Sequence, residues 1–128
     1  MARRRTATLT EAELRLMDVL WERQAATVAE IAAALPAPPI AYNSVLTTMR
    51  ILERKGYVAH VEAGRAYLYR PLVAREDAAA KAVGHLLSRF FDNNAGTLAL
   101  RLIENERPSS EELVRLKSLI EQYEEGNP

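Results

Sequence analysis

Leu14, Met17, Leu20 and Trp21 fall on one stripe of a helix that runs to about Gln24. At its start Thr10 and Glu13 have the spacing of a capping box, in which hydroxyl and carboxylate satisfy two orphan backbone N–H groups. Thr27 and Glu30 repeat that signature and open a shorter helix, Val28 to Leu35. Pro36 closes it, because proline cannot extend the hydrogen-bond ladder. Pro36, Pro38 and Pro39 stiffen a turn longer than that of a minimal helix-turn-helix. Val45, Met49 and Leu52 then recur at i, i+4 and i+7 in a third helix, Tyr42 to Lys55, with Leu46 and Tyr42 beside the stripe. Gly56 supplies the left-handed position that ends it.

The pattern next turns to strands. Tyr57 to Val61 and Ala66 to Tyr69 are rich in β-branched and aromatic residues. A turn at Ala63-Gly64-Arg65 joins them into a hairpin, and Pro71 ends the second strand. Beyond about Arg75 helical spacing returns, with Ala82/Val83, Leu86/Leu87 and Phe90/Phe91 recurring every four residues. Asp92 to Gly96 is a turn, and Leu98, Leu102 and Ile103 predict a short helix ending before Pro108. Ser109 and Glu112 form a third capping box, from which Leu113, Leu116, Leu119, Ile120 and Tyr123 run helically to about Glu124.

Three helices followed by a basic hairpin is the order of a winged helix-turn-helix. The expected fold is therefore mostly α with a small β-hairpin wing. Residues 1–9 form a basic arm, residues 10–75 a winged helix-turn-helix, and residues 76–124 a three-helix unit. Those last helices are close to the size below which a lone domain needs help to bury its apolar side. Folding back on the winged helix is one solution. Pairing with a second copy is the favoured one, with Val83, Leu86, Leu87, Phe90, Phe91, Leu113, Leu116, Leu119, Ile120 and Tyr123 at the seam.

Charge sharpens this division. The formal net charge is zero, but residues 1–75 carry 11 Lys/Arg against 7 Asp/Glu, and residues 76–128 carry 6 against 10. A basic half joined to an acidic half fits a part that binds a polyanion and a part that does something else. The chain has no cysteine, which removes disulfides, thiolate metal sites and a cysteine nucleophile. Arg3, Arg4 and Arg5 are followed by no apolar segment, since Glu11 and Glu13 interrupt, and no stretch approaches the length of a membrane span. A soluble, cytoplasmic protein is expected. No nucleophile–base pair or phosphate loop is present, and His60 and His85 lie in different elements, so neither catalysis, a metal nor a cofactor is expected.

The third helix carries the candidate chemistry. Asn43, Ser44, Thr47 and Thr48 offer amide and hydroxyl groups that suit base edges in a major groove, asparagine bidentately to adenine. Arg50, Arg54 and Lys55 are candidates for phosphate, as are Arg65 at the wing tip and the Tyr42 hydroxyl. Lys55 equally suits the dipole at a helix C-terminus. Arg3 to Arg5 would add diffuse attraction.

Leu9-Thr10-Glu11-Ala12-Glu13, Val19-Leu20-Trp21, Tyr42 to Thr47, Lys55-Gly56-Tyr57 and Gly64 to Pro71 resemble the penicillinase-repressor family, which includes methicillin-resistance and copper-responsive repressors. The likeness runs from Leu9 to about Tyr123. It implies a homodimeric repressor with an N-terminal winged helix and a C-terminal dimerisation unit, bound to an inverted-repeat operator on double-stranded DNA. It also implies relief by proteolysis or by a metal, with a membrane-bound sensor protease system as partner. Three departures stand out. Ile51 occupies the place where the family usually has arginine, and Arg50 lies one residue earlier. The terminal Cys-x-Cys cluster of the copper-responsive branch is missing. The bond matching the family's Asn-Phe cleavage site is Arg101–Leu102. A winged-helix protein-interaction module is the alternative from another class, and an activator would share the same DNA grip.

Overall fold

The computed structural model describes residues 8–126. Arg3, Arg4 and Arg5, and with them most of the expected arm, lie outside the described residues. The chain runs α1 (Glu11–Arg23), β1 (Ala26–Thr27), α2 (Val28–Ala34), α3 (Tyr42–Lys55), β2 (Val58–Ala63), β3 (Ala66–Pro71), α4 (Arg75–Phe90), α5 (Ala95–Glu106) and α6 (Ser110–Gly126). The expected class, mostly α with a hairpin wing, is the observed one.

All three capping boxes form. Glu13 N–H donates to Thr10 Oγ1 at 3.1 Å, and Thr10 N–H donates to the Glu13 carboxylate at 2.8 Å. Thr27 and Glu30 do the same at the start of α2, and Ser109 and Glu112 just ahead of α6. Gly56 ends α3 at φ +88°, a conformation that an L side chain adopts only with strain. Gly64, at φ +65°, makes the tight turn of the hairpin.

One strand was not anticipated. Ala26 and Thr27 pair antiparallel with Tyr69 and Leu68, so β3 lies between β1 and β2 in a three-stranded sheet. Two residues carry too little pattern to separate a strand from the lead-in to a helix. The wing itself pairs from Val58 opposite Pro71 to Ala63 opposite Ala66.

The chain divides into two compact units, one ending at Leu86 and one beginning at Leu87. In the first, Leu16, Met17 and Leu20 of α1 pack with Ile31 of α2, Val45, Met49 and Leu52 of α3, and Tyr57, Val58 and Tyr69 of the wing, all essentially inaccessible. The break between these units falls inside α4. Composition changes where α4 begins, but Ala78 of α4 is buried in this same core, and Arg75 stacks over Trp21 at 4.6 Å while bonding Asp18 at 3.0 Å. The second unit holds the end of α4 with α5 and α6, and neither α5 nor α6 contains a buried residue.

Candidate nucleic-acid interface

Which side of α3 faces outward follows from which side is buried. Val45, Met49 and Leu52 are fully covered. With about 100° of rotation per residue, the opposite side is centred on Asn43, Thr47, Arg50 and Arg54, and all four are exposed. An amide, a hydroxyl and two guanidinium groups thus form one stripe about three turns long. Ser44 is exposed at the margin of this stripe. Thr48 lies further round, half-buried, and its hydroxyl donates to the Ser44 carbonyl at 2.9 Å. Of the four expected base-reading residues it is the least available, because that back-bond satisfies its donor within the helix.

The phosphate candidates separate in the same way. Arg50, Arg54 and Arg65 are exposed, and Tyr42 stands 53% exposed in the first turn of α3 rather than packing on the core. Lys55 is engaged within the protein. Its ammonium donates to both oxygens of the Glu13 carboxylate, at 2.7 and 2.9 Å, so its charge is spent inside the protein. The sequence could not place Glu13 opposite Lys55, since the two are 42 residues apart and meet only once α1 and α3 have packed.

Three contacts between elements hold α3 and its flanking segments in place. The first is that ion pair, in which the Glu13 carboxylate, only 6% exposed, joins the start of α1 to the end of α3. Burial pushes its pKa upward, but the hydrogen bonds from Lys55 and Thr10, with the Lys55 charge, outweigh burial and leave it below the ordinary 4.5. Second, the Arg15 guanidinium donates to the carbonyls of Pro36 and Pro38 at 2.6 and 2.7 Å, which ties the proline-rich α2–α3 turn to α1. The third joins α3 to the wing: His60 Nδ1 of β2 lies 2.8 and 2.9 Å from the two carboxylate oxygens of Glu53. Glu13, Arg15, Glu53 and His60 were all missed as positioning residues, because nothing in local spacing marks a partner in another element.

On the wing, the His60 ring stacks on Tyr67 with centroids 4.1 Å apart and planes 21° apart. Tyr67 is partly exposed beside it, whereas Tyr69 is buried. Burial, followed by the nearby Glu53 charge, raises the pKa of the Tyr69 hydroxyl and keeps it neutral. Among the described residues no group of three or more His, Asp or Glu is placed to hold a metal, and no helix is long and apolar enough to cross a membrane.

The expected seam residues lie on α4 and α6, with Phe91 just past the end of α4. Val83, Leu86, Phe90, Leu113, Leu119, Ile120 and Tyr123 are exposed, Phe90 at 76%, while Leu87, Phe91 and Leu116 are half-buried. Arg101 and Leu102 are both exposed in the middle of α5. Leu102 also lines, with Ile103, Leu116 and Leu119, a groove between α5 and α6. A protease acting at Arg101–Leu102 must first unwind that part of the helix, since scissile peptides are bound extended.

Residues 9–122 match the penicillinase repressor family. The chain is 26% identical over 116 residues to a penicillinase repressor of Bacillus licheniformis, spanning 90% of this chain and 91% of that one. It is 29% identical over 121 residues to the transcriptional regulator BlaI of Mycobacterium tuberculosis, spanning 93% of this chain and 87% of the regulator. Among solved structures, the DNA binding domain of the repressor BlaI is 26% identical and covers 54% of this chain and 85% of its own, with a TM-score of 0.49. The CopR repressor is 32% identical and covers 52% and 99%, with a TM-score of 0.45. Matched from α1 through most of α6, the chain belongs to the penicillinase repressor family.

Proposed function

We propose that this protein is a homodimeric, sequence-specific DNA-binding repressor of transcription. The observation that carries the reading is the outward stripe of α3, where Asn43, Thr47, Arg50 and Arg54 stand exposed opposite a fully buried apolar face. Laid in a major groove, such a stripe offers Asn43 and Thr47, with Ser44 at its margin, to base edges, and Arg50 and Arg54 to flanking phosphates. Arg65, at the tip of the wing, reaches the adjoining backbone or minor groove. Two subunits related by a two-fold axis read an inverted repeat whose half-sites face one side of the duplex.

The exposed apolar rows of α4 and α6 supply the second half of the reading, a seam between two copies. Occupying a promoter represses it. Losing the partner subunit releases it, because a bivalent grip becomes two weak ones. Cutting Arg101–Leu102, in the unit that carries the seam, would act in that way. The membrane-bound protease system implied for relatives is the natural source of such a cut.

Selection of the purified protein on a random duplex pool tests this reading. Enrichment of an inverted repeat is the expected result. A folded dimer that enriches no sequence would overturn the sequence-specific role and favour a protein partner for α3.

A further inference from the structure

We infer that Glu53 and His60 are positioning residues for the wing: they fasten β2 to α3 so that Arg65 and Tyr67 meet DNA in register with Asn43 and Thr47. The inference rests on the DNA-binding reading above and goes beyond it, since neither residue is itself a candidate DNA contact.

The wing is a long two-stranded ribbon with little to hold its outer part. Its base is buried at Val58 and Tyr69, but Val61, Glu62, Ala63, Arg65 and Ala66 are all exposed. A two-stranded ribbon twists and flexes readily when nothing covers it. His60 lies opposite the buried Tyr69 in the ladder, one residue before Val61, where the exposed part of the wing begins. Its Nδ1 reaches both Glu53 oxygens, at 2.8 and 2.9 Å, and a carboxylate only accepts, so Nδ1 must carry the proton. The far side of the same ring stacks on Tyr67, two residues past Arg65. One imidazole therefore links the recognition helix to the outer wing.

Glu53 brings a second consequence. It stands one helical turn from Arg50 and is about one-third exposed, so its negative charge borders the surface offered to phosphate. Pairing with His60 ties that carboxylate back against the wing. Removing His60 both frees the wing and leaves a bare carboxylate next to the DNA.

The test is a double-mutant cycle on full-length protein, using the duplex obtained by selection. His60→Ala and Arg65→Ala should each weaken binding roughly tenfold, the scale of one charge-assisted hydrogen bond. Combined, they should lose little more than either alone, because a wing that is already displaced no longer presents Arg65. His60→Asn keeps an N–H donor at the place of Nδ1 and should bind within about threefold of wild type. All three single variants should melt within a few degrees of wild type, since the pair is partly solvated. Losses that multiply in the double variant, or an Asn variant as weak as the Ala variant, would overturn the positioning role. If Ala at position 60 does not fold, the His60→Asn result decides alone. Wild-type protein that retains no duplex would instead bring down the DNA reading, and the role of the pair with it.

Discussion

The two units of this chain use the same kind of helix for opposite ends. In the first, the apolar stripes of α1, α2 and α3 find partners within the same unit: fourteen apolar residues between Leu16 and Ala78 are buried, from all three helices, the sheet and the start of α4. In the second, α5 and α6 are just as amphipathic, yet neither buries a single residue. Leu113, Leu119, Ile120 and Tyr123 remain open along one helix, with Phe90 at the end of α4 more exposed than any of them. Periodicity thus announces that a face will be covered, not what will cover it. The winged helix completes its own core and leaves its polar face open, in the reading proposed above, for DNA. The C-terminal unit is completed by a second copy, in the reading proposed above.

Charge at the seam should break this contrast most sharply. Phe90→Glu leaves the winged helix untouched, because Phe90 is exposed in the single chain. It should nevertheless turn the protein monomeric in sedimentation and weaken operator binding by about 10²–10⁴-fold through loss of bivalency. An intact dimer would place the seam elsewhere. The complementary change is Met49→Ala, which empties a fully buried site of the first unit. It should cost about 2–5 kcal/mol in denaturant unfolding, with dimerisation of the remaining folded protein unchanged.

Thr47→Ala probes the exposed side of that same helix. Binding to the selected operator should fall by about 1–3 kcal/mol and binding to random duplex hardly at all, as measured by competition. Equal losses on both would remove Thr47 from base reading. The smallest effect concerns the Glu13–Lys55 pair. Because the folded-state pKa of Glu13 lies below 4.5, its stabilisation is present at neutral pH and lost as the pH falls through that lowered value. Glu13→Gln should therefore cost about 1–2 kcal/mol at pH 7, and the gap to wild type should close in acid unfolding titrations once the pH falls below the ordinary carboxylate range. A gap that persists there would show that the pair acts through packing rather than charge.

Local devices were legible in the sequence. Each capping box, the glycine stop at Gly56, the hairpin turn at Gly64 and the buried trio Val45, Met49 and Leu52 depend on residues within one element, and all stand where spacing put them. What spacing could not supply were contacts between elements. The partner of Lys55 is in α1 and that of His60 in α3, and neither pairing is marked by spacing within one element. Thr48 looked equivalent to Thr47, although one more step around the helix takes it to the edge of the buried face, where it bonds its own backbone.

The central claim is a bivalent grip, with recognition in the first unit and pairing in the second. The most direct measurement is the affinity of wild-type protein for its selected duplex, compared with the same duplex after one half-site is scrambled. Scrambling should cost at least about a hundredfold, with two subunits bound to the intact duplex. A loss under about threefold, or one subunit on the intact duplex, would contradict the account.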